Sequence, residues 1–100
     1  MRSRVAIDRN RIADFCRRNH IHRLSLYGSV LRDDFGPESD VDVLVEFEPG
    51  YVPGLITLAG MEIELSKVVG RKVDMRTPGD LSRYFRQEVL DSAEAQYVRG

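Results

Sequence analysis

Residues 26–47 read LYGSVLRDDFGPESDVDVLVEF, and this stretch carries the strongest structural signal in the chain. Gly28 and Ser29 follow an apolar run, and Asp40 and Asp42 flank a valine where the next apolar run begins. In an extended strand, the side chains of residues i and i+2 project to the same face. Asp40 and Asp42 are therefore expected to lie side by side, where two anions repel each other unless a cation lies between them. A divalent metal is the simplest such cation.

The composition predicts one folded domain spanning residues 1–100. Of the 100 residues, 42% are hydrophobic and 31% are charged, which is typical of a globular domain. The net charge of −1 gives no argument that the chain itself binds nucleic acid. The single cysteine, Cys16, excludes an intramolecular disulfide, and no window approaches the 18 apolar residues of a membrane-spanning helix. We therefore expect a cytoplasmic protein that does not bind membranes.

Apolar periodicity and turn residues predict an alternation of helices and strands. The segments expected to be helical are 8–19, a short helix of one or two turns at 29–35, 55–69 and 81–93. The expected strands are 21–27, 41–47, 71–76 and an edge strand at 95–98. Asp8 suits the N-cap of the first helix and Gly70 the C-cap of the third. This order predicts an α+β fold, with a small mixed sheet of three or four strands and helices packed on it.

Gly28 and Ser29 are expected to form the turn between the first strand and the short helix. Glycine lets the backbone approach a ligand closely, and the N–H groups at a helix N-terminus favour phosphate. Arg32 lies three residues further on, on the same side of that helix, where a guanidinium can reach phosphate oxygens. These residues have the chemistry needed to bind the triphosphate of a nucleotide. Surface pairing of Arg32 with Asp33 or Asp34 is the alternative.

Carboxylates supply the other half of the expected site. Mg²⁺ prefers oxygen ligands and is commonly held by one or two carboxylates together with substrate phosphates. Two-metal sites hold their ions about 3.5–4 Å apart, and a third carboxylate usually helps to hold the second ion. Asp74 is the best candidate, because its neighbours Val73 and Met75 are apolar and would face the core. If the third strand pairs beside the second, Asp74 joins Asp40 and Asp42 on one surface.

The pattern G-S-x10-D-x-D, followed by a later strand with a single aspartate, resembles the nucleotidyltransferase superfamily with the DNA polymerase β-like fold. Within it, the chain is similar to the minimal nucleotidyltransferase (MntA-like) antitoxins, the partners of HEPN-family toxins. The resemblance extends from about residue 12 to residue 97 and includes the segment GRKVDMRTP at residues 70–78. The individual residues that carry it are Gly28, Ser29, Arg32, Ser39, Asp40, Asp42 and Asp74.

The resemblance implies an Mg²⁺-dependent enzyme that transfers AMP from ATP to a hydroxyl group, with release of pyrophosphate. The resemblance also implies that the acceptor is a tyrosine hydroxyl of the HEPN toxin. The added AMP would disable the RNase action of that toxin. Asp40, Asp42 and Asp74 would be the catalytic residues and the ligands of two Mg²⁺ ions. The implied nucleotide-binding residues are Gly28, Ser29, Arg32 and Ser39.

Two other functions stay open from the residues alone. One is a binding-only antitoxin that masks its toxin without catalysis, and the other is a nucleotidyltransferase with a different acceptor, such as RNA. A chain of 100 residues has little room for a surface that grips both base and acceptor. We therefore expect a heteromeric complex, with nucleic-acid contact only through the partner. Tyr84, Phe85 and Tyr97 are expected to pack in the core rather than to stack on bases.

Overall fold

The computed structural model describes residues 7–31, 36 and 39–99. Within this part of the chain the helices are α1 (Arg9–Arg18), α2 (Leu55–Val69) and α3 (Arg86–Ser92). The strands are β1 (Ile21–Tyr27), β2 (Val41–Phe47), β3 (Val73–Arg76) and β4 (Glu94–Val98). Single 3₁₀ turns lie at Gly28–Leu31 and Pro78–Asp80. In the described residues no helix combines the length and the apolar character that crossing a bilayer requires.

The four strands form one mixed sheet in the order β3-β2-β1-β4. β1 pairs antiparallel with β2 on one side and with β4 on the other, whereas β2 and β3 are parallel. Parallel neighbours need a crossover connection, and α2 supplies it. The predicted α+β fold with a small mixed sheet and packed helices is confirmed.

The hydrophobic core lies between one face of the sheet and the helices α1 and α2. Val41, Val43 and Val45 of β2 are completely buried on this face. The helical residues in the same buried cluster are Ile12, Phe15, Cys16, Met61 and Leu65. Since side chains alternate along a strand, the residues between the three valines project to the opposite face. We call that opposite side, onto which Asp42 and Asp74 project, the carboxylate face.

The predicted caps of the first and third helical segments are confirmed. The Asp8 carboxylate accepts hydrogen bonds from the backbone N–H groups of Asn10 and Arg11, at 3.0 and 3.2 Å. Gly70 ends α2 in the left-handed conformation, with φ of 79°, and its N–H donates to the Ser66 carbonyl at 2.8 Å. Both caps satisfy backbone groups that a helix end leaves unpaired.

The last helix is shorter than predicted, because residues 81–85 form turns and α3 begins only at Arg86. The side chain of Arg86 explains the difference, since it donates to the carbonyls of Pro78 and Leu81 at 2.8 and 3.1 Å. These bonds hold the preceding segment in a turn. Tyr84 and Phe85 consequently lie outside the core, with 77% and 61% of their surfaces exposed. The prediction that they pack in the core is wrong.

Side chains of α2 cover the free edge of β3. The Val73 N–H donates to Ser66 Oγ at 3.0 Å, and the Met75 N–H donates to Glu62 Oε2 at 2.8 Å. The spacing of the two acceptors on the helix matches the spacing of the two donors on the strand. Residues one helical turn apart are about 6 Å apart, and strand residues i and i+2 are separated by about 6.6 Å. Unpaired N–H groups on an edge strand would otherwise invite pairing with another chain. Helix α2 thus protects the strand that carries Asp74.

Replacing Glu62 by Ala is expected to lower the free energy of unfolding by about 1–2 kcal/mol, because the N–H of Met75 loses a charged acceptor. Urea denaturation measures the change. Glu64→Ala is the matched control on the same helix, since its pair with Arg18 (2.7 Å) is exposed to solvent and contributes little to stability. Equal stability losses in the two variants would contradict the protective role of Glu62.

Candidate active site

The pairing of β2 with β3 places Asp42 and Asp74 opposite each other. The two residues are register partners on parallel strands, and neighbouring strands lie about 4.8 Å apart. On the other side of β2, the register partner of Asp42 is Tyr27 of β1. Tyr27, Asp42 and Asp74 therefore form a row across three strands of the carboxylate face. All three are partly exposed, whereas Val41 and Val73 beside them are buried.

Asp40 directly precedes β2 and lies two residues before Asp42 in the chain. The Val41 N–H donates to the Lys72 carbonyl at 2.9 Å, so the residues that lead into β2 and β3 are already in contact. The Asp40 carboxylate is 46% exposed and lies 4.0 Å from Lys72 Nζ. Asp40 thus stands at the entrance to β2, next to a lysine on the neighbouring segment.

Arg76 is a member of this face that the sequence analysis missed. Its Nη2 and Nε atoms lie 3.2 and 3.4 Å from Asp74 Oδ2. The hydrogen bond to Asp74 is the main cause that raises the pKa of Arg76, followed by the charge of Asp74 and smaller effects of Tyr27 and Asp42. Arg76 follows Asp74 by two residues in the same strand, so strand alternation alone could have placed it on the carboxylate face.

Tyr27 remains a neutral phenol over the physiological pH range. The pKa of Tyr27 is raised to about 12, mainly by burial and to a smaller extent by the charge of Asp42, while the charge of Arg76 acts in the opposite direction. A phenolate there would be poorly hydrated and would face a carboxylate. Tyr27 can therefore offer a hydroxyl donor next to Asp42 without adding a negative charge.

Gly28 allows the turn after β1 to approach the Asp42 carboxylate. Its φ of 75° lies in the left-handed region, and a Cβ atom at this position would be only 2.5 Å from Asp42 Oδ2. Both facts require glycine. Ser29 follows in the 3₁₀ turn and is partly buried. Within the described residues the predicted short helix is this single turn, and Arg32 lies outside the described residues.

Ser39 belongs to a small turn that leads into Asp40. Its Oγ accepts a hydrogen bond from the Gly36 N–H at 3.0 Å, and its own N–H donates to the Gly36 carbonyl at 3.1 Å. The guanidinium of Arg71 donates to the carbonyls of Gly36 and Ser39 at 2.7 and 2.9 Å. Residue 71 was predicted to begin the third strand, but the strand begins at Val73, and Arg71 instead anchors this turn.

Replacing Arg71 by Ala is expected to lower the nucleotide transfer that the resemblance implies about tenfold, because the turn before Asp40 loses two charge-assisted hydrogen bonds. The initial rate of label transfer from ATP measures the effect. Arg71→Lys keeps the charge but loses the planar fork, and we expect an intermediate rate. A normal rate in Arg71→Ala would show that the turn keeps its position without this anchor.

The donor atoms on the carboxylate face suit a hard cation, since Asp40, Asp42 and Asp74 offer only oxygen ligands. In the described part of the chain, no three His, Cys, Asp or Glu side chains lie close enough together to hold a metal ion, so the three acids do not form a preassembled metal site. Asp74 is engaged by Arg76, and Asp40 lies near Lys72. The three acids fit Mg²⁺ in chemistry, and Arg76 competes with a cation for Asp74 Oδ2.

The sequence has relatives among protein adenylyltransferases. A profile of the nucleotidyltransferase domain matches residues 9–96. The chain is 33% identical over 73 residues to a candidate protein adenylyltransferase of Methanocaldococcus jannaschii, covering 73% of this chain and 76% of the relative. It is 31% identical over 78 residues to the protein adenylyltransferase MntA of Thermococcus cleftensis, covering 78% and 75%.

Solved structures share the fold. A candidate minimal nucleotidyltransferase is 32% identical, with a TM-score of 0.70 and coverage of 85% of each chain. A toxin–antitoxin complex with AMP-PNP gives a TM-score of 0.74 at 19% identity, covering 93% of this chain and 75% of that one. A tri-AMPylated HEPN toxin of Shewanella oneidensis in complex with its MNT antitoxin gives 0.65 at 19% identity, covering 91% and 70%. Because the last two structures are only 19% identical to this chain, they show that the fold is shared and nothing more.

The profile match extends from the first residue of α1 into β4. The predicted resemblance to MntA-like proteins is confirmed. The chain belongs to the nucleotidyltransferase domain family.

Proposed function

We propose that this protein is an Mg²⁺-dependent adenylyltransferase and a cytoplasmic antitoxin, which transfers AMP from ATP to a tyrosine hydroxyl of a cognate HEPN-type toxin and thereby neutralises it. The observation that carries the proposal is the register of Asp42 with Asp74 beside the turn at Gly28. The relative named MntA and the structural neighbour that contains an AMPylated HEPN toxin support a toxin as the acceptor, and the tyrosine hydroxyl comes from the family resemblance.

The reaction forms a bond between the acceptor oxygen and the α-phosphorus of ATP, breaks the bond to the bridging oxygen and releases pyrophosphate. Asp40, Asp42 and Asp74 would hold two Mg²⁺ ions, which supply Lewis-acid stabilisation of the negative charge on the reacting phosphate. Asp74 also offers a carboxylate oxygen that can accept the proton of the attacking hydroxyl. The register of Asp42 with Asp74 supports this sharing of roles.

The residues of the turn after β1 bind the remaining phosphates in this proposal. Gly28 lets the backbone come close to the ligand, and the hydroxyl of Ser29 can donate to a phosphate oxygen. Arg32 is proposed to bind the same phosphates from the sequence pattern, and Ser39 contributes through the turn that positions Asp40. The phenol of Tyr27 adds a neutral donor at the edge of this region.

Label transfer tests the proposal directly. The purified protein is incubated with Mg²⁺, with ATP labelled at the α-phosphate or at the γ-phosphate, and with the helical toxin candidate encoded by the neighbouring open reading frame. We expect label on the toxin from α-labelled ATP only, a mass increase of AMP on a tyrosine, and loss of RNase activity. An active RNase partner that binds the protein but receives no label would refute the proposal.

A binding-only antitoxin is the second candidate function. The observation that favours it is that Asp74 already pairs with Arg76 and that Asp40 lies near Lys72, so cations of the chain itself lie beside these acids. In that case the variants Asp42→Asn and Asp74→Asn would still protect cells that express the toxin. The adenylyltransferase proposal expects both variants to lose protection.

A further inference from the structure

A cleft of about 550 Å³ lies on the carboxylate face, between the turn after β1 and helix α3. One wall includes Tyr27, Gly28 and Asp42, and the other includes Phe85 and helix α3. The volume falls within the range of about 300–1,000 Å³ that is typical of small-molecule sites. The cleft therefore begins at the residues proposed to hold the phosphates and extends away from them.

Phe85 gives the far wall an accessible aromatic surface. The residue is 61% exposed, and its backbone is fixed on both sides, because its N–H donates to the Ser82 carbonyl at 3.0 Å and its carbonyl accepts from the Val89 N–H at 2.9 Å. Val89 and Glu88 lie beside it along the same wall. A flat apolar surface with a carboxylate at its edge suits a ligand that is planar and carries polar groups at its rim.

We infer that this cleft binds the nucleoside part of the substrate nucleotide, with the base stacked on Phe85. The inference rests on the proposed function. If the phosphates lie at Gly28 and Asp42, the ribose and base attached to them must continue into the adjoining space, which is this cleft. Asp74, proposed to receive the proton of the acceptor, lies on β3 and does not line the cleft. The acceptor therefore approaches from the other side of Asp42.

Titration calorimetry with two ligands isolates the nucleoside contribution. The first ligand is ATP with Mg²⁺, and the second is inorganic tripolyphosphate with Mg²⁺, which has the phosphates alone. We expect Phe85→Ala to weaken ATP binding about tenfold, as for the loss of one base–aromatic stack, and to leave tripolyphosphate binding unchanged. Phe85→Trp, which keeps an aromatic face, should retain ATP affinity.

Tyr84→Ala is the matched control. Tyr84 precedes Phe85, is 77% exposed and lies under the Arg83 guanidinium at 5.1 Å, and it does not line the cleft. We expect it to change the affinity for neither ligand. Circular dichroism of each variant shows whether α3 is retained.

Three results would overturn the inference. The first is unchanged ATP affinity in Phe85→Ala, and the second is an equal loss for ATP and tripolyphosphate. The third is normal ATP affinity with a raised KM for the toxin, which would assign the cleft to the acceptor. A failure of the proposed function looks different: ATP binds with the expected dependence on Phe85, but no AMP reaches the toxin. If the wild-type protein does not bind ATP, both proposals fall.

Discussion

Replacing Asp42 by Asn is expected to lower AMP transfer about a thousandfold, while the free energy of unfolding changes by less than about 1 kcal/mol. Asp42 is the central residue of the row across β1, β2 and β3, with Tyr27 and Asp74 as its register partners. Asn has nearly the same shape but lacks the charge and one of the two acceptor oxygens that a metal and a phosphate transfer require. The initial rate of label transfer and urea denaturation measure the two quantities.

Asp14→Asn is the control for the loss of a negative charge. Asp14 lies on α1, is exposed and pairs with Arg18 at 3.1 Å, on the side of the sheet opposite to the carboxylate face. We expect wild-type transfer from this variant. An Asp42→Asn protein that keeps more than about a tenth of the wild-type rate would show that Asp42 does not act on the reacting phosphate.

Gly28→Ala is expected to lower AMP transfer about a hundredfold, and to lower the free energy of unfolding by about 1–2 kcal/mol. The stability loss comes from placing a Cβ atom at a φ of 75°. The loss of activity has a separate cause, because the same Cβ would lie 2.5 Å from Asp42 Oδ2 and must displace this carboxylate. Label transfer and urea denaturation again measure the two effects.

Gly50→Ala separates these two causes. Gly50 has a similar positive φ of 85°, but a Cβ atom there would meet nothing within 4 Å. We expect a similar loss of stability with full activity. If Gly50→Ala and Gly28→Ala reduced transfer equally, the contact of Gly28 with Asp42 would have no part in catalysis.

The sequence predicts well those features that depend on local pattern. The strands at Ile21–Tyr27 and Val41–Phe47 and the helix Leu55–Val69 match their predicted bounds. Valine-rich alternation, apolar helical periodicity and the glycine at position 70 each act over a few residues, so they are visible in the sequence. The same alternation indicates that Asp74 faces away from its apolar neighbours.

The sequence does not predict features that depend on contacts between residues far apart in the chain. The short α3 results from hydrogen bonds of Arg86 to carbonyls five and eight residues earlier, which apolar periodicity does not report. Arg71 anchors Gly36 across 35 positions. The pairing of Arg76 with Asp74 is local by contrast, and the alternation of side chains along β3 is enough to indicate it. The exposure of Phe85 likewise follows from where the helix begins.

The cooperation of Asp42 and Asp74 is tested most directly by a double-mutant cycle on the rate of AMP transfer. The proteins compared are the wild type, Asp42→Asn, Asp74→Asn and the double variant, all with saturating Mg²⁺ and ATP. Residues that act as one unit give strongly non-additive effects. We therefore expect the transfer rate of the double variant to lie within about threefold of the rate of either single variant. Full activity of Asp74→Asn, or losses that simply multiply in the double variant, would contradict a shared site on the carboxylate face.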